Sequence, residues 1–191
     1  TSIEIHKQIE AILENSLSVY KVDVGELKKL NPDFIVTQSH CDVCAVSFSE
    51  MESITRKYLG ENTKIISLQP NMLQDVFDDI RRVAKSLKVD NEYNFQLINN
   101  LEIRLNNIKK KTQKLKKPKI LCIEWIDPLM VAGNWIPEMV EIAGGKNILG
   151  KIGVDSHWIK FEDIKNYDPD FIVFIPCGFN LNKTKEEVEK L

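Results

Sequence analysis

The pentapeptide Pro-Asp-Phe-Ile-Val occurs at 32–36 and again at 169–173, and the match runs upstream without a gap, 26–36 against 163–173. Each copy reads acidic, apolar, polar, polar, apolar, turn residue, Pro, Asp, Phe, Ile, Val. That pattern is a short helix, a Pro-Asp turn that stops it, and an apolar run of the kind buried in a parallel sheet. Such a unit also recurs by chance in α/β proteins, but the identical five-residue core favours duplication. A duplicated unit in a chain of 191 residues predicts two equivalent α/β halves, each delivering a loop from the carboxyl end of an equivalent strand, where open α/β sheets bind ligands.

Between the halves lies a stretch, 90–116, that reads as one uninterrupted helix. Tyr93, Leu97, Leu101, Leu105, Ile108, Thr112 and Leu115 recur at steps of three and four, which lays an apolar stripe along one side. Asp90 is placed to cap its start. Lys109, Lys110, Lys111, Lys114, Lys116 and Lys117 crowd its far end, where the helix dipole tolerates cations, and Pro118 forbids continuation. At 1.5 Å per residue the helix is about 40 Å long, the span of a small domain, and suits a strut. A coiled-coil arm needs a sustained heptad, which these irregular steps do not supply. The lysines read as a solvated helix end rather than a nucleic-acid site, since no aromatic residue is interleaved with them. The expected organisation is a first lobe at 1–89, a connecting helix at 90–117 and a second lobe at 118–191.

In chain order, Ile5, Ile9, Ile12 and Leu13 mark an amphipathic helix, and Asp23 with Glu26 has the spacing of a capping box for a second. The strand at 34–36 leads into a loop at 38–46. Then come a helix with Met51, Ile54 and Tyr58, a strand at 64–68, and a helix that Asn71 and Gln74 are placed to cap. After the long helix the alternation resumes: a strand at 119–124, a loop at 125–135, a helix entered through Pro137 and ended at Gly144-Gly145, and a strand at 171–175.

Composition excludes several classes. With 43% hydrophobic and 28% charged residues and a net charge of -2, the chain can bury a sizeable core and is no general binder of nucleic acid or membrane surfaces. No apolar run approaches the ~18 residues of a membrane span. Thr1 opens into polar sequence without a signal segment and Leu191 falls inside a helical pattern, so a piece of a longer protein is expected. Four cysteines, Cys41, Cys44, Cys122 and Cys177, fit neither a dense disulfide scaffold nor a repeated zinc pattern. His40-Cys41-Asp42-Val43-Cys44 invites a metal or redox reading. The remaining His and Cys residues show no matching pair spacing, so no metal site is assigned.

The blocks 30–38, 41–47, 125–145 and 176–179 together resemble the cobalamin-binding branch of the solute receptors of ABC importers, the periplasmic binding proteins for ferric siderophores, haem and cobalamin. The resemblance covers nearly all of the chain. It implies two α/β lobes of Rossmann-like parallel-sheet type, joined by one long rigid helix, with the ligand in a cleft between them. It implies a monomer outside the cytoplasmic membrane that binds a small molecule, uses no cofactor of its own, and docks on a membrane permease dimer through one acidic residue per lobe. Family members carry a further strand before the segment matching Thr1 and another strand and helix beyond that matching Leu191. A single rigid helix lacks loop hinges, so closure on ligand is expected to be slight.

The residues expected to face ligand are Gln38, Cys41, Phe48, Trp125, Asp127, Asn134, Trp135 and Phe179. Trp125 and Trp135 bracket the loop holding Asp127-Pro128 and Gly133-Asn134, and such large aromatic faces suit a flat or bulky ligand. Trp158, followed by Ile159 and Phe161, reads equally as core. All four arginines, Arg56, Arg81, Arg82 and Arg104, lie outside the loops at 38–48, 125–135, 154–160 and 176–183. Anionic ferric siderophores want arginine forks, whereas aromatic faces with Asn134, Asn180 and Gln38 suit the amide-fringed rim of a corrin. Haem competes through the same aromatics, with Lys160 and Lys183 the available partners for its propionates. For permease docking, Glu50 opens the helix after the first loop, and the repeat offset carries it onto Glu187, with Glu186 the near alternative. An enzyme reading rests only on Glu124 or Asp127 in the cleft, since no phosphate loop, GxSxG or HExxH is present.

Overall fold

The computed structural model describes residues 1–13, 22–38, 48–60 and 62–191. They form two compact units, one of Lys7–Pro70 and a larger one of Thr1–His6 with Asn71–Leu191. Helix α1 (Ser2–Leu13) contributes its first residues to the larger unit and the rest to the smaller.

In the smaller unit the capping signal is realised: the Asp23 carboxylate accepts from Glu26 N at 3.0 Å and opens helix α2 (Val24–Leu30). The helix stops at Asn31, which turns left-handed at φ 40° while its N–H donates to Leu27 O. Strand β1 (Phe34–Gln38), helix α3 (Phe48–Tyr58) and strand β2 (Lys64–Leu68) come next. The strands pair parallel from Phe34↔Lys64 to Gln38↔Leu68. Met51 and Thr55 of α3 and Ile66 of β2 are buried.

The larger unit contains α4 (Leu73–Ser86), α5 (Asn91–Thr112), β3 (Lys119–Trp125), β4 (Met130–Val131), α6 (Ile136–Ile142), β5 (Lys146–Asn147), β6 (His157–Trp158), α7 (Phe161–Tyr167), β7 (Phe171–Phe174) and α8 (Leu181–Val188). Strand β3 is the centre of its sheet. Parallel β7 lies on one side; on the other, parallel β5 pairs with its first residues and antiparallel β4 with its last. Strand β6 continues the sheet beyond β4. Leu121, Ile123 and Val131 are fully enclosed and pack with Leu129, Ile148 and Ile164. Those burials explain the near-continuous apolar run of β3, a strand covered on both faces.

The duplication seen in the sequence is present in the backbone. Helix α7 ends at Asp168 in the left-handed conformation (φ 48°) with its N–H on Ile164 O, as α2 ends at Asn31, and β7 comes after it as β1 does after α2. Asn and Asp are the non-glycine residues that best tolerate this conformation.

Three local expectations shift. Only the returning half of the box expected at Asn71 and Gln74 forms, one residue later, where Asp75 accepts from both Asn71 N (2.9 Å) and Met72 N (2.7 Å). Helix α5 is capped by Asp90, as expected, but stops at Thr112 rather than reaching Lys116. The Thr112 hydroxyl lies 3.1 and 3.3 Å from the carbonyls of Ile108 and Lys109 and 3.0 Å from Ile142 O on α6. This ties the last turn down, and a tight turn, Leu115 N to Thr112 O, replaces helix. The expected stripe is also displaced: Tyr93, Leu97, Ile108 and Leu115 are exposed, while Ile98 is the buried residue of α5. Helix α5 packs against α4 and α6, with Arg81 on α4 paired to Glu102, so residues 71–112 belong to the same unit as 118–191.

Candidate functional site

Parallel strands present their carboxyl ends to one side of a sheet, and the loops leaving them meet there. Strand β3 ends on Trp125, and its neighbour β7 runs into Pro176-Cys177-Gly178-Phe179. The rings of Trp125 and Phe179 lie 5.3 Å apart at an interplanar angle of 50°, an aromatic pair formed across the two strand ends. Trp125 Nε1 donates to Asp127 O at 3.1 Å, which fixes the indole over the turn through the cis Asp127-Pro128 bond. Trp125 and Phe179 are half-buried and Asp127 is exposed, so the pair keeps aromatic surface open to solvent.

A second cluster fastens the loop after β4. Ser156 Oγ donates to Glu124 Oε2 at 2.6 Å and accepts from Gly133 N at 3.0 Å. Asn134 N donates to Val154 O at 2.7 Å, and Gly153 N returns to Asn134 O at 3.0 Å. The two backbones touch so closely that a Cβ on Gly133 would lie 2.3 Å from Val154 O. Asn134 is left-handed at φ 54°, and its Oδ1 is buried with no hydrogen-bond partner among the described residues. Trp135, half-buried, then caps α6, whose Glu138 accepts from Leu73 N at 2.9 Å and holds the start of α4.

Of the residues expected at the site, Trp125, Asp127 and Phe179 are brought together, and Asn134 and Trp135 lie on the fastened loop. In the smaller unit, Gln38 is exposed at the carboxyl end of β1 and Phe48 is exposed at the start of α3. Cys41 lies outside the described residues, as do His40 and Cys44. Trp158, which read equally as core, is half exposed and stands edge-on to the His6 ring at 5.1 Å. Sequence reasoning missed Ser156, which looks like any loop serine; its one signal was a place between Glu124's strand and Trp158 in the loop at 154–160.

Glu187 is corrected. It is 3% exposed, and its carboxylate receives Ser2 N (2.6 Å), Ser2 Oγ (2.8 Å), Lys190 Nζ (2.6 Å) and Lys183 Nζ (3.2 Å). The Lys190 ammonium and then the Ser2 amide hold the carboxyl well below the usual carboxylate range. A carboxylate enclosed by four donors does not face a partner; on α8 the exposed acid is Glu186. Lys183 is engaged by Glu187 and lies 5.9 Å from the centre of the Phe179 ring.

Among the described residues no three His, Cys, Asp or Glu side chains gather into a metal site. Cys122 is buried, which pushes its thiol pKa up, and Cys177 is exposed. Glu124 is occupied by a serine hydroxyl. The aromatic pair stands at the ends of the parallel strands β3 and β7, and the fastened loop follows β4 beside it.

The chain belongs to the periplasmic binding protein family, whose profile matches residues 15–191. That family is one of receptors that carry ligands, not of enzymes with cofactors. No curated protein sequence matches the chain. Its fold is similar to that of an ABC transporter substrate-binding protein from Listeria monocytogenes EGD-e, with TM-score 0.72, 18% identity, and 88% of this chain covering 62% of that one. It is similar to S. aureus IsdE, solved with heme, with TM-score 0.65, 24% identity, and 89% covering 62%. It is also similar to the vitamin B12 binding protein BtuF of Vibrio cholerae, with TM-score 0.61, 15% identity, and 81% covering 58%. The chain thus spans less than two thirds of these proteins, and at such identities the likeness establishes the fold alone. No helix among the described residues is long and apolar enough to cross a membrane.

Proposed function

We propose that this chain is the ligand-binding part of an extracytoplasmic solute receptor that takes up a corrinoid and delivers it to an ABC permease dimer, acting as a monomer. The carrying observation is the Trp125–Phe179 pair at the ends of β3 and β7, a half-exposed aromatic surface whose nearest charged neighbours in sequence are the acids Glu124 and Asp127. Acidic neighbours disfavour an anionic siderophore, Lys183 beside the Phe179 ring being engaged by Glu187, while the aromatic faces with Asn134 suit an uncharged ring fringed by amides. Haem is the second reading, favoured by the likeness to the heme-bound S. aureus protein. Its propionates need a cation; Lys183 is already paired with Glu187, which leaves exposed Lys160 as the candidate.

In this reading the candidate ligand contacts are Gln38, Cys41, Phe48, Trp125, Asp127, Asn134, Trp135 and Phe179. The permease contacts are Glu50, in the first turn of α3, and Glu186. Calorimetric titration of the full-length protein with cyanocobalamin, cobinamide, haem and a ferric siderophore tests the ligand. Corrinoid binding is the expected result, and tight siderophore binding with neither corrinoid ends the reading. Reversing Glu50 and Glu186 to Lys together should abolish uptake with ligand affinity intact, and undiminished uptake removes the docking assignment.

A further inference from the structure

The fastened loop points to a residue that governs recognition from behind. Glu124, Gly133 and Ser156 come from three separate stretches and meet in one chain of hydrogen bonds, Gly133 N to Ser156 Oγ at 3.0 Å and Ser156 Oγ to Glu124 Oε2 at 2.6 Å. A hydroxyl both accepts from an amide and donates to a carboxylate, which aliphatic side chains cannot do. The bond to an ionised carboxylate is the stronger kind and fixes the hydroxyl's rotation, so that its lone pair faces the Gly133 amide. Behind the serine the backbones of 133 and 154–156 are in contact, with no space for even a methyl group on Gly133. Asn134 and Trp135 come directly after, the first left-handed with its buried Oδ1 unpartnered among the described residues, the second at the cap of α6.

We propose that Ser156, seated on Glu124, is a positioning residue for ligand recognition: it sets the backbone at 133–135, and thereby the Asn134 amide and the Trp135 ring, acting through them on affinity. This rests on the ligand site assigned under the proposed function. It gives Glu124 a task other than catalysis, as the fixed anchor at the end of the central strand. It also explains how a half-buried carboxylate beside Trp125 is satisfied with no cation paired to it among the described residues: its partner is a hydroxyl.

The test uses the full-length receptor with Ser156→Ala, Ser156→Thr and, as a control, Thr184→Ala, which deletes a hydroxyl bonded to Asn180 O on α8. Ser156→Ala should weaken cyanocobalamin binding about tenfold, a part of what the charge-assisted bond and the amide bond are worth together, since the effect reaches ligand only through the backbone. Ser156→Thr should restore affinity, and Thr184→Ala should leave it unchanged. In the ligand-free protein, hydrogen exchange should accelerate in Ser156→Ala at the amides of Gly133 and Asn134, with α8 unaffected. Wild-type affinity in Ser156→Ala, or an equal loss in Thr184→Ala, overturns the proposal. If the wild type binds no corrinoid, the ligand reading alone falls; unchanged exchange at Gly133 in Ser156→Ala then overturns the positioning role.

Discussion

Gly133→Ala tests the contact on which the site's loop is built. The new Cβ would lie 2.3 Å from Val154 O and 2.6 Å from both Asp155 C and Ser156 N, all backbone atoms, so no flexible side chain can yield. One strand of chain must move away from the other. Overpacking of this kind costs about 1–3 kcal/mol. The displacement also stretches Gly133 N to Ser156 Oγ and Asn134 N to Val154 O, at about 1 kcal/mol each. A total of about 3–5 kcal/mol lowers Tm by about 6–20 °C in a chain of this length. Gly178→Ala is the comparison: it is left-handed at φ 77° with nothing within 4 Å of the added carbon, so it carries only the conformational cost of about 1–2 kcal/mol. Thermal unfolding followed by circular dichroism, with urea midpoints as a check, ranks the two. If Gly133→Ala melts no lower than Gly178→Ala, the close approach is not a constraint and the account of the loop fails.

Because the folded-state pKa of Glu187 is held below its ordinary value of 4.5, its ionisation favours the folded state above about pH 4.5 and that contribution is lost as the pH falls. Glu187→Gln should therefore have a lower urea midpoint than wild type near pH 7, with the gap narrowing towards pH 3; a constant gap contradicts the assignment. Asp168→Ala and Asn31→Ala should each destabilise by about 1 kcal/mol and the corresponding glycine variants should not, since the cost is that of a Cβ in the left-handed conformation; denaturant titration of the four variants checks both copies of the repeat. Maleimide should modify exposed Cys177 in the native protein and buried Cys122 only on unfolding, as read by peptide mapping; equal rates would contradict the burial.

How far the sequence carries depends on how local each cause is. The repeated unit was legible because its determinants are short-range: an acidic helix start, a residue that accepts the left-handed turn at 31 and at 168, a proline and an apolar strand. The Asp23 and Asp90 caps were legible for the same reason. What failed was set by packing between distant segments. Thr112 ends α5 through the carbonyl of Ile142, thirty residues away, and periodicity alone cannot choose which side of α5 meets α4 and α6, so Ile98 rather than the Tyr93–Leu97 line is buried. Arithmetic on the repeat placed Glu187 opposite Glu50, but equivalence of position does not carry equivalence of surroundings: Lys183 and Lys190, one turn to either side, and Ser2 at the other end of the chain enclose it. The site divides the same way. The candidates Trp125 and Phe179, which the fold pairs, could be picked out because aromatic residues after strands announce themselves, whereas Ser156 stands between an amide and a carboxylate that only the fold brings to it. A residue whose role lies in its partners has no signature of its own, which is why the positioning part of a binding site is read from structure and the contact part from sequence.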